Sequence, residues 1–198
     1  MAQVIVRPVS NVSSNNISYS SGSSAYPLIN EATADGDSSY VALTPSGTVT
    51  VKCNAPSNLS RIQTINSITI YAVARINNHT ETIRYGLSSP SSSYGSSSIS
   101  GTSYATFLHV VTVNNTPANF DLNNLNIFLT LYTSGNSKSI VYVTQMYVVI
   151  DYVEKTIISY VKIDGTWHLV SKIYVKINGV WKEVNAIYDK ISGTWHTG

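Results

Sequence analysis

Six aromatic residues near the C-terminus recur at a fixed interval. Tyr160, Tyr174 and Tyr188 form one series and Trp167, Trp181 and Trp195 another, each stepping by fourteen residues. Gly165, Gly179 and Gly193 keep the same step, so "YVKIDGTWH", "YVKINGVWK" and "YDKISGTWH" are three copies of Y-x-K-I-x-G-x-W. Exposed indole and phenol rings stack on the apolar face of a sugar or on a partner protein. These six residues are therefore the candidate glycan or partner contacts. The same rings can instead pack the repeats, and packing or anchoring is the stronger reading, because an isolated hairpin is marginal in water.

Other chemistry is sparse. Among ten carboxylates the densest set is Glu31, Asp35 and Asp37 in "NEATADGDSSY". Acidic residues around a glycine can ligate calcium through oxygen. No Glu closes the loop at its twelfth position, so a polar turn leading into a strand at Tyr40 is preferred and no metal is assigned. His79, His109, His168 and His196 lack a metal-ligand partner at i+2 or i+4, and no nucleophile, zinc or phosphate-loop motif occurs. The expectation is a non-enzymatic chain with no cofactor. Lone Cys53, in the alternating run "VTVKCN", reads as a packed or edge thiol.

Composition says which elements must carry these residues. Only 11% of the 198 residues are charged, and Ser, Thr, Asn, Val, Ile and 14 Tyr fill the space that Lys and Glu would take. β-branched and aromatic residues favour strands, so the chain reads as all-β. A net charge of +2, with scattered basic residues, argues against nucleic acid. No apolar leader or run long enough to span a membrane is visible, which predicts folding in a cytosol and no membrane partner.

From Val4 to about Val153, strand and turn signals alternate. "SSYVALTP", "GTVTVKCN", "INSITIYAVARIN", "YATFLHVVTV" and "SIVYVTQMYVVIDYVE" read as strands, whereas "NVSSNNISYSSGSS" and "SSPSSSYGSSSISGTS" read as loops. In "SITIYAVAR", Thr69, Tyr71, Val73 and Arg75 share one face. In the last long strand strict alternation groups Ile140, Tyr142, Thr144, Met146, Val148, Ile150 and Tyr152 against Val141, Val143, Gln145, Tyr147, Val149 and Asp151. Both faces are apolar at the middle, as in a central strand covered by the opposing sheet on one side and by a neighbouring subunit on the other. The expected architecture is an antiparallel jelly-roll-like β-sandwich over residues 1–154, followed by three 14-residue β-hairpin repeats over residues 155–198. The Asp164-Gly165, Asn178-Gly179 and Ser192-Gly193 pairs are hairpin turns. Pairing Ile163 with Thr166 then sets Lys162 opposite Trp167.

"YPLINEATADGDSSYVAL", "ITIYAVARI" and "VTQMYVVIDY" together resemble a β-sandwich module of tailed-bacteriophage virion proteins. That module has an acidic D-x-D-x-x-Y lead-in, a V-x-A-R-like strand centre and an aromatic-rich final strand. Asp35, Asp37, Tyr40, Ala74, Arg75 and Tyr152 stand at those positions. The closing repeats are similar to short repeats on phage structural proteins. The resemblance implies a non-enzymatic, oligomeric virion protein of tail, baseplate or fibre that meets other virion proteins and a host-surface glycan. A capsid-decoration or head-fibre protein is the alternative, and a carbohydrate-binding module the second alternative.

Overall fold

The computed structural model describes residues 1–77, 79–132, 138–155, 159–163, 165–170, 174–183, 188–191 and 194–197. The chain divides into two compact units, Met1–Glu154 and Lys155–Gly198. The first unit runs β1 (Ala2–Val6), β2 (Pro8–Tyr19), α1 (Tyr26–Ile29), β3 (Val41–Cys53), β4 (Ile62–Ile76) and β5 (Thr80–Ser89). It continues through β6 (Ser93–Ser100), β7 (Ala105–Asn115), β8 (Asn126–Tyr132) and β9 (Val141–Glu154).

The strands pair in the order β6-β5-β8-β3-β9-β4-β7, with β1 added to β9 and β2 to β3. All pairings are antiparallel, and the path folds over at β3. Val41–Leu43 pair with Val141–Val143 of β9, whereas Thr48–Lys52 pair with β8. The bend lies between them, where Ser46 has φ +62° and Gly47 touches the β2 backbone. A Cβ at Gly47 would stand 2.5 Å from the Asn16 carbonyl, so this corner requires glycine. β7-β4-β9-β1 form one sheet, β6-β5-β8-β3-β2 the other, and the fold is an all-β sandwich. Ile68, Ile70, Val148 and Ile150 from one sheet share a core cluster with Ile83, Leu87, Leu129 and Val49 from the other. Cys53 lies in that core, and burial pushes its thiol up to about 12.

Three sequence expectations change. The segment read as the loop "NVSSNNISYSSGSS" mostly belongs to β2, and Ser93–Ser100 of the second such segment is β6. Their side chains give little hydrophobic alternation, but their backbones pair with β3 and β5. "SSYVALTP" and "GTVTVKCN" are one strand, β3, bent at its middle. The strict alternation of β9 also fails at Thr144. Val73 pairs with Gln145 and Ala74 with Val143, so Thr144 is an extra residue on β9. This bulge reverses the parity, and the inward set is Val141 and Val143, then Met146, Val148, Ile150 and Tyr152.

In the second unit, β10 (Ser159–Ile163) pairs with β11 (Thr166–Val170), β12 (Tyr174–Ile177) with β13 (Val180–Glu183), and β14 (Tyr188–Ile191) with β15 (Thr194–Thr197). Ile163 faces Thr166 and Lys162 faces Trp167, the register that a two-residue turn imposes. At the middle turn Asn178 has φ +50° and Gly179 φ +82°, both left-handed as such a turn requires. Asp164, Ser192 and Gly193 lie outside the described residues.

Candidate functional site

Three cross-strand rows on the outer face of β7-β4-β9-β1 concern the site. Strand alternation sends Tyr71 outward from β4, and the Thr144 bulge sends Tyr147 outward from β9. The two are direct partners, with rings stacked at 4.7 Å between centroids and 5° between planes. Leu108 lies opposite Tyr71 on β7. On the other side the Arg7 guanidinium carbon is 5.4 Å from the Tyr147 ring centre. The first row is thus Leu108, Tyr71, Tyr147 and Arg7.

The second row is apolar except for Thr69: Val110, Thr69, Val149 and Ile5. Leu108 is 51% exposed, Val110 52% and Ile5 54%, so the two rows leave an apolar strip in water. The third row is polar, with Thr112, Ser67, Asp151 and Gln3. Asp151 accepts from Gln3 Nε2 at 2.7 Å on one oxygen and from Ser67 Oγ at 3.0 Å on the other. Its carboxylate is held in a fixed orientation beside the strip. Burial raises the Tyr147 phenol pKa, and the neighbouring Tyr71 adds to the rise, so the ring stays neutral.

The acidic segment walls the other end of this face. Arg7 donates to the carbonyl oxygens of Glu31 and Ala32, and Gln145 Nε2 donates to the Glu31 carbonyl at 2.8 Å. Thr144 Oγ1, on the bulge, is 3.0 Å from the Asp35 carboxylate and 3.1 Å from the Ser39 carbonyl. Ser39 Oγ lies 2.9 Å from Glu31 Oε1 and 3.1 Å from Asp35 Oδ1. Asp37 turns elsewhere. It accepts from Arg75 Nε at 3.0 Å, Arg75 Nη2 at 2.8 Å and the Tyr104 hydroxyl at 2.9 Å. The Arg75 guanidinium is 4.1 Å from the Tyr142 ring centre and 5.4 Å from that of Tyr104. Arg75, and then Tyr104, hold the Asp37 carboxyl below its ordinary range. Burial, and then the bond to Asp37, push the Tyr104 phenol up to about 12.

Of the calcium candidates, Glu31 and Asp35 therefore converge on Ser39, while Asp37 goes to Arg75. Among the described residues no group of three or more His, Cys, Asp or Glu is arranged to hold a metal ion. Of the six aromatic candidates, Tyr174 is 49% exposed and Trp181 65% exposed, and Lys176 Nζ is 5.7 Å from the Trp181 ring centre. The side chains of Tyr160, Trp167, Tyr188 and Trp195 lie outside the described residues. Of the residues carrying the virion-module resemblance, Ala74 is buried, and Tyr152 is buried and takes a hydrogen bond from Asn58. Tyr40 meets Tyr142 edge-on at 5.0 Å. The second covered face of β9 is supplied in part by this chain, since Thr144 and Gln145 are buried and bonded to residues 31–39.

Sequence reasoning did not single out Tyr147, Leu108 or Asp151. The outward parity of Tyr71 was readable, but its partners depend on strand pairing and on the bulge.

No family model matches the chain, and no curated protein matches it. Solved structures similar to it include the C-terminal CBM6 of LamC, a marine laminarinase from Zobellia galactanivorans. Its TM-score is 0.45 at 9% identity, covering 76% of this chain and 100% of that one. The CBM22-1 xylan-binding domain from Paenibacillus barcinonensis Xyn10C gives 0.42 at 5% identity, covering 76% and 94%. The carbohydrate binding module CBM6cm-2 from Cellvibrio mixtus lichenase 5A, in complex with cellotriose, gives 0.40 at 9% identity, covering 76% and 97%. At these scores the likenesses carry no function to this chain.

Proposed function

We propose that the chain is a non-catalytic glycan-binding protein whose sandwich holds a sugar chain across the outer face of β7-β4-β9-β1. The observation that carries the reading is the row formed by exposed Leu108 and the half-buried, stacked Tyr71 and Tyr147, running beside the fixed Asp151 carboxylate. A pyranose has an apolar C–H surface edged by hydroxyls, and it matches an apolar strip bordered by oriented hydrogen-bonding groups. Leu108, Val110 and Ile5 meet the first, while Asp151, Gln3 and Thr112 meet the second. The two tyrosines brace each other, so little side-chain freedom is lost on binding.

A glycan array probed with the full chain and with Tyr71→Ala and Tyr147→Ala tests this. Wild type gives signals that fall at least tenfold in both variants while each keeps its cooperative melting. Signals equal to wild type in both folded variants would remove this face from the role.

A virion setting on tail, baseplate or fibre, or as a capsid-decoration or head-fibre protein, is the second reading. It is supported by the sequence resemblance and by the β12–β13 hairpin, whose Tyr174, Val175, Ile177, Val180 and Trp181 are all exposed. A hairpin so uncovered gains stability from a partner surface, either another virion protein or a further copy of this chain. Deleting residues 155–198 then abolishes incorporation into particles, and normal incorporation of the deleted chain would overturn this reading.

A further inference from the structure

We propose that the outer face of the opposite sheet carries a second site, in which Arg84 reads the carboxylate or sulfate group of an acidic glycan. Arg84 lies on β5 opposite Thr130 of β8 and Ser96 of β6. Its guanidinium carbon is 4.3 Å from the centre of the Tyr132 ring and 5.5 Å from that of Tyr94. The rings are 50% and 53% exposed, respectively. Tyr94 also meets Phe128 edge-on at 6.5 Å. Gly86, opposite Tyr94 and Phe128, lets β6 lie this close, because a Cβ there would stand 2.1 Å from the Ser93 carbonyl.

The protein holds this cation unlike its neighbours. Arg75 is neutralised by Asp37, and Arg7 spends its donors on the carbonyl oxygens of Glu31 and Ala32. Among the described residues no carboxylate pairs with Arg84. Rings against a guanidinium occupy its faces and leave the in-plane N–H groups available, which is the geometry a carboxylate or sulfate accepts in bidentate fashion. Thr82, Ser96, Ser98 and Thr130 surround it, with Thr130 Oγ1 tied to Thr48 Oγ1 at 2.9 Å. The setting is one positive fork among hydroxyls and half-exposed phenol rings. That combination complements an anionic sugar, whose charge meets the fork and whose hydroxyls meet Ser and Thr. The site does not depend on the face bearing Tyr71 and Tyr147.

The test is affinity electrophoresis of the full chain in gels holding polygalacturonate, dextran sulfate, neutral dextran or poly-L-glutamate. Polygalacturonate or dextran sulfate retards the wild type, and whichever retards more identifies the acidic group. Neutral dextran and poly-L-glutamate do not retard it at this site. Arg84→Gln weakens the acidic-glycan interaction at least tenfold, and Arg84→Lys, which keeps the charge but loses the fork, weakens it several-fold. Tyr147→Ala leaves it intact, so failure of the first face is distinguishable from failure of this one. Absence of retardation by both acidic polysaccharides overturns the proposal. So does retardation of Arg84→Gln or Arg84→Lys equal to wild type with melting preserved. Equal retardation by poly-L-glutamate would assign the site to acidic peptides and overturn the glycan class.

Discussion

The two outer faces of the sandwich solve the same problem differently. Each must place aromatic and basic side chains on a sheet exposed to water. On the β7-β4-β9-β1 face the cations are neutralised or tied to backbone, and a long segment of the chain folds over one end as a wall. On the β6-β5-β8-β3-β2 face, among the described residues, rings rather than an acid hold Arg84. On the two proposals above, the first face takes uncharged ligands with both apolar and hydroxyl character, and the second takes ligands that bring a negative charge. A sheet's chemistry is decided by which neighbour neutralises each arginine more than by how many arginines it has.

The largest expected effect comes from breaking the second face at its backbone. Gly86→Ala forces a methyl against the Ser93 carbonyl and the Tyr94 backbone. It should cost roughly 2–3 kcal/mol in urea denaturation, because neither contact is a flexible side-chain end. If the two faces are independent, glycan binding by the first face survives in this variant under conditions where it is folded. Thr144→Val comes next. It removes the buried hydroxyl between Asp35 and Ser39, at about 1–2 kcal/mol, and loosens residues 31–39 without touching Arg84. Faster amide hydrogen exchange over residues 31–40, with β5 and β6 unchanged, is the expected readout.

The Asp37–Arg75 contact gives a smaller effect with a definite pH dependence. The folded Asp37 carboxyl titrates below its ordinary value of 3.8, so its contribution is complete above that pH and is lost as pH falls through the folded value. Asp37→Asn should flatten this acid limb of the melting curve. Smallest is His109, on the inward side of β7, where Nε2 lies 3.0 Å from Ser93 Oγ. Burial lowers its pKa below 6.5, so the unfolded chain binds the proton more readily and stability falls as pH drops from 6.5 through the folded value. His109→Gln should remove that slope, as read by melting temperature at pH 7.5 and 5.5.

Much of the architecture was legible because it follows from local chemistry. Asn178 and Gly179 specify a left-handed two-residue turn, and the observed hairpin register follows from it. The inward Ile68, Ile70 and Ala72 of β4 are plain from alternation. What escaped was not local. β2 and β6 are held by backbone pairing and carry Ser and Asn with little periodic signal. The bulge at Thr144 depends on a hydrogen-bonding partner more than a hundred residues earlier in the chain. The site was less legible than the fold for the same reason. Tyr71 and Tyr147 are ordinary strand tyrosines until pairing stacks them, whereas the repeated Trp and Tyr of the tail attract notice by spacing alone.

The proposed sugar-holding face is the one bearing Tyr71 and Tyr147. It is tested most directly by amide chemical-shift mapping of the full chain, titrated with the neutral oligosaccharide that gives the strongest array signal. Sugar held there shifts amides clustered on β4, β7 and β9 around Tyr71, Leu108 and Tyr147, and these shifts are absent in Tyr147→Ala. Shifts clustered in residues 155–198, and unaffected by Tyr147→Ala, would contradict it.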